Sequence, residues 1–175
     1  ESIADPSVDA ALREAAGRLR GQQQMGVIHS LAARRDFLAV SILSGLLAGS
    51  DSDVARASAR ALGSFGRAGV AALDEALAKA SPEMQPSVCD GLFRCAETVP
   101  RAEAIVIYDR IRSTPKLPGH VQIAAMTGAI RSRGDQGLPL ILDAIRGSSL
   151  LPAADAVQLS MDLPGSNVTQ ALIAA

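Results

Sequence analysis

Three carboxylates recur at one spacing in this chain: Glu75, Asp109 and Asp143, each 34 residues from the next. Carboxylates repeated along one face make an acidic ladder, and such a ladder suits a basic segment of a partner protein. The plainer reading is a solvated helix face, with Arg110 and Arg112 near Asp109 and Arg146 near Asp143 to balance the charge. Other residues able to do chemistry are sparse. His29 and His120 stand in His-Ser and His-Val dipeptides and read as surface polar residues. Cys89 and Cys95 lie six residues apart, which is roughly 9 Å of helix rise and too far for a disulfide. They read as small core thiols. Zinc and haem spacings, phosphate loops and nucleophile elbows are missing from the sequence. The residue types therefore point to no catalytic machinery, no metal and no cofactor. Arg60 and Arg94, also 34 apart, form a basic pair that reads as ordinary surface charge.

The elements that must carry the ladder are helices. Each carboxylate lies two residues beyond an apolar anchor, in the pairs Leu73/Leu77, Ile107/Ile111 and Ile141/Ile145, with Leu43/Leu47 one unit earlier. At 100° per residue the carboxylate sits about 200° from its anchor, on the opposite side of the helix. These anchor-bearing B helices alternate with A helices that carry a different word, Val-x-x-small-x-x-x-small. It begins at Val54, Val88 and Val121, at spacings of 34 and 33 residues. The A helices are expected over Asp53 to Ser64, Pro82 to Glu97, Pro118 to Ser132 and Pro152 to Leu163. Earlier helices are expected from Asp5-Pro6 to Gly21, from Gln22 to Ala33 and from Phe37 to Ala48. A fixed period of this size marks a helical-repeat stack, in which each unit buries its apolar face only against its neighbours. The expected fold is all-α: a right-handed α-solenoid of about five antiparallel helix pairs, one domain over residues 1–175. Ala57, Ala61, Gly91, Ala124 and Gly128 would let helix backbones approach closely, and a Leu at any of them would cost roughly 1–3 kcal/mol. Phe65, Phe93 and Tyr108 read as fillers between helices.

Composition agrees. Aromatic residues are 2% of the chain and Trp is missing, while Ala and Leu dominate, which favours helix over sheet. Lys and Arg number 17 against 18 Asp and Glu, for a net charge of −1, so nothing steers the chain to nucleic acid or to an anionic membrane. No apolar run reaches the roughly 18 residues of a membrane span. The chain starts at Glu1 and stops at Ile173-Ala-Ala inside an apolar helical pattern, so a fragment of a longer protein is expected. Compartment and oligomeric state stay unassigned.

The segment Asp53-Val54-Ala-Arg56-Ala57-Ser58-Ala-Arg-Ala61-Leu62-Gly63-Ser-Phe65-Gly66 resembles the HEAT repeat, in its short bacterial form found in phycobilisome lyases. Here Arg stands at position 56 rather than beside Val54. The resemblance implies a curved stack with B helices lining the concave side, and protein–protein binding as the role. The iron-holding His-Glu dipeptides of HEAT-like hydroxylases are missing, and with no Trp and no excess positive charge the chain lacks the basic aromatic face of the related alkylpurine glycosylases. The function expected is a non-catalytic scaffold that binds a protein or peptide segment on the B-helix surface. The alternatives are a structural spacer or dimerisation module, and an accessory domain of a bilin lyase or other modifying enzyme.

Overall fold

Short acidic side chains set several helix starts. Asp5, Asp36 and Asp51 each accept a hydrogen bond from a backbone N–H two residues on, at Ser7, Leu38 and Asp53. These bonds satisfy donors that the first helical turn leaves open. The computed structural model describes residues 5–163. Among them every regular element is helical: α1 (Pro6–Arg18), α2 (Gly21–Arg34), α3 (Val40–Leu47), α4 (Ser52–Leu62), α5 (Arg67–Lys79), α6 (Gln85–Thr98), α7 (Arg101–Ser113), α8 (Gly119–Arg133), α9 (Leu138–Ile145) and α10 (Ala153–Met161). Short 3₁₀ turns at Phe37–Ala39, Gly63–Phe65 and Gly134–Gly137 join or open them. The apolar helical pattern expected at Ile173-Ala-Ala lies outside the described residues.

Three expectations need correcting. The helix expected from Pro82 begins at Gln85, because Ser81–Met84 forms a turn whose Ser81 carbonyl accepts from both Met84 and Gln85. Pro86 then occupies the first turn, where a missing N–H costs little. The helix expected from Phe37 opens as a 3₁₀ turn that leaves Phe37 60% exposed, its ring edge-on to that of Phe65. Ala124 is exposed and does not mediate close packing; Val121, Ala125 and Ala129 carry the buried face of α8. Phe65 is buried as expected, whereas Phe93 and Tyr108 are half-buried.

The chain divides into two compact units, Glu1–Val99 and Pro100–Ala175. In the first, α4 is central and packs on α2, α3, α5 and α6. Contacts run α2 to α4 to α6 in one row and α1 to α3 to α5 in the other, with α1 also packed on α2 and α5 on α6. Leu43, Leu47, Leu73 and Leu77 are buried, as are Val54, Leu62, Val88 and Leu92. Glycine decides how close neighbouring helices come. A methyl group at Gly91 would stand 2.5 Å from the Ala59 carbonyl oxygen, and one at Gly69 would overlap that of Leu62. Ion pairs Asp9–Arg34 and Arg13–Asp36 fasten α1 to the far end of α2 and the turn after it.

In the second unit α7 lies along α8 and α9 along α10, and α8 touches both α9 and α10. Its core gathers Ile130, Ile141, Ala144, Leu151, Ala156 and Leu159. Gly66 and Gly134, 68 residues apart and so two periods, share one unusual backbone conformation: φ +55 and ψ −128 at the first, φ +56 and ψ −132 at the second. This region is open to glycine and strained for other residues, so both turns depend on it.

Candidate functional site

Burying one face of α5 fixes what the other face shows. With Gly69, Leu73 and Leu77 turned inward, Ala68, Ala71, Glu75 and Lys79 are exposed and Ala72 and Ala76 half-exposed. Helix α3 behaves alike: Leu43 and Leu47 are buried and Ser44 and Gly45 look outward. Because the outward residues are so small, a groove of about 740 Å³ opens along α3 and α5. Gly45, Ala72, Ala76, Ser81, Met84 and Val88 form part of its lining, and Glu75 and Lys79 sit among the lining residues as its charges. The lining is mainly apolar. Small side chains on the wall leave room for large apolar ones from a ligand.

Glu75 is fully outside, as expected, and bonds to Lys79 one turn on at 2.7 Å. That hydrogen bond, with the ammonium charge, holds its carboxyl below the ordinary carboxylate value. Asp109 is different. It is half-buried on α7; one carboxylate oxygen accepts from Arg112 at 2.9 Å, and the other from Arg133 at the end of α8. Asp143 on α9 is exposed, and its backbone carbonyl accepts from Ser148 N–H at 2.8 Å. Glu75 belongs to the first unit, Asp109 and Asp143 to the second. Two of the three carboxylates are thus already matched by cations of the chain itself, and a basic segment would have to displace them.

The remaining candidates are quieter. Arg60 is exposed, and Arg94 pairs with Asp90 at 3.1 Å while its stem covers Gly63. His29 and His120 are exposed. Cys89 and Cys95 are free and fully buried, and burial pushes both thiols up to about 11, far from a reactive thiolate. Among the described residues no three His, Cys, Asp or Glu side chains gather to hold a metal ion, and no helix is long and apolar enough to cross a membrane.

Sequence reasoning missed the groove itself. Its signal was there, in Ala68, Ala71, Ala72 and Ala76 on the side of α5 away from its anchors, but alanines mark a surface only by what they leave empty. It also missed Arg133, which is 24 residues from Asp109 and shares no motif with it. No family model, curated protein or solved structure matches the chain.

Proposed function

We propose that the chain is a HEAT-like α-solenoid serving as a non-catalytic interaction module, and that the α3–α5 groove receives an amphipathic helix from a partner protein. The groove carries this reading. It is mainly apolar and lined in good part by Gly and Ala, and its two charges, Glu75 and Lys79, neutralise each other. A neutral apolar channel between two helices fits a leucine-type stripe with anchors at i, i+3, i+4 and i+7 better than it fits a basic strand. The stack itself is supported by the 34-residue period and by the two alternating helix rows of the first unit.

The test is selection from a library of displayed helical peptides against the wild-type chain, with counter-selection on Ala72→Arg. Ala72 is half-exposed, so a long charged side chain fills the groove and leaves the core alone. Enriched peptides should share the apolar stripe and lose at least about tenfold in affinity, or about 1.4 kcal/mol, on the variant. Peptides that bind both proteins alike would remove the groove from the account. A second reading, a spacer or self-associating module, draws on Val157 and Met161, four residues apart on α10 and 40% and 78% exposed. Concentration-dependent sedimentation that disappears in Met161→Lys would favour it.

A further inference from the structure

A second cavity, of about 670 Å³, lies in the second unit between α7, α8 and the loop that precedes α10. It is unlike the first groove, because two guanidinium groups face one carboxylate. Arg112 and Arg133 both bond to Asp109, and all three line the cavity. The Arg112 and Arg133 side chains are only 25% and 20% exposed, so the surplus positive charge is partly withdrawn from water. Arg112 also keeps a buried Nε–H with no acceptor among the described residues. Ser148 and Ser149 also line the cavity, and Ser149 Oγ accepts from Leu151 N–H at 3.2 Å, which leaves its own proton to donate. Met126, Leu150 and Leu151 supply an apolar wall.

We propose that this cavity binds an organic carboxylate, its head group held by Arg112 and Arg133 and its apolar body laid against Met126, Leu150 and Leu151. The one surplus positive charge matches a monoanion. Planar guanidinium donors suit carboxylate oxygens, and a ligand would share them with Asp109 and, at Arg133, with the Ala129 carbonyl at 3.2 Å. The reading is independent of the α3–α5 groove and stands or falls without it.

Hexanoate is the probe, with hexylamine and inorganic phosphate beside it, followed by amide chemical shifts of the full chain. Hexanoate should shift the Arg112 and Ser148–Leu151 amides saturably with a dissociation constant of about 10 mM or tighter. Hexylamine should leave them still. Arg112→Gln, with its melting checked, should weaken hexanoate roughly tenfold, and Asp109→Asn, which frees both guanidiniums, should tighten it several-fold. Phosphate binding more tightly than hexanoate, hexylamine binding equally well, or no saturable shift at these residues would each overturn the proposal. So would an Asp109→Asn variant that binds hexanoate more weakly while retaining the wild-type fold by its amide spectrum.

Discussion

Glu75 and Asp109 stand 34 residues apart, each two residues past a buried anchor, and they lead different lives. Glu75 pairs with Lys79 on its own helix, in full solvent, beside an apolar groove. Asp109 reaches off its helix to Arg133 on α8 and is half-buried beside a polar cavity. The residues around them explain the contrast. Ala72 and Ala76 flank Glu75, whereas the residues 34 further on are Val106 and Arg110. Larger side chains occupy those positions of α7. The period sets where backbones go and which side chains are buried, while each surface is written separately by the residues the core does not use.

The sharpest way to break the comparison is at the two glycines where helices meet most closely. In the first unit Gly69→Ala drives a methyl group into the Leu62 backbone, which has no room to yield. It should cost about 3 kcal/mol or more, read as a loss of thermal midpoint. In the second unit a methyl group at Gly128 would meet the half-buried ring of Tyr108 first, a side chain rather than backbone. About 1–2 kcal/mol is expected there, and Tyr108→Ala should recover part of it in the double variant. Equal losses at both glycines would mean that the two contacts are equally rigid.

The two carboxylates come next. Asp109→Ala strands Arg112 and Arg133 together and should cost about 1–2 kcal/mol, since the group is half-buried and screening reduces the fully buried figure. Glu75→Ala should leave the midpoint unchanged, because both partners of its pair are in solvent. Similar denaturation midpoints for the two variants would erase the distinction between them.

Legibility follows the same division. The helices, their order and most anchors were readable because burial repeats: Leu73, Leu77, Ile107, Ile111 and Ile141 are all buried where the period puts them, whereas the last expected anchor, Ile145, is half-buried. The small-residue word was readable at Ala61 and Gly91 for the same reason, and misread at Ala124, where α8 turns the next residue, Ala125, inward. The candidate site was legible only as three acidic positions. Their cations, and the groove beside Glu75, depend on which side chains face each other across helices, and no periodicity encodes that.

Smaller effects sharpen the picture of the first unit's core. Ser58 is fully buried on α4 with its hydroxyl unpaired among the described residues, so Ser58→Ala should be neutral or stabilising by about 0.5–1 kcal/mol. Gln24, equally hidden, donates to the Ala16 carbonyl at 2.7 Å, and Gln24→Ala should instead cost about 1–2 kcal/mol. The buried thiols add a pH dependence. Their value is raised from the ordinary 9.0 to about 11, so the native state holds protons that the unfolded chain releases. Their stabilising contribution is therefore present in full below pH 9 and relative stability falls as pH rises from 9 towards 11. Urea midpoints across that window should flatten in the Cys89→Ala, Cys95→Ala variant.

The groove is the centre of the functional proposal, and amide shift mapping with the tightest selected helical peptide tests it most directly. The expected result is a saturable set of shifts confined to α3, α5 and the opening of α6, with Gly45, Ala72, Ala76 and Ser81 among the largest. Shifts concentrated on α2 and α4, or in the second unit, with those four residues unmoved, would contradict it.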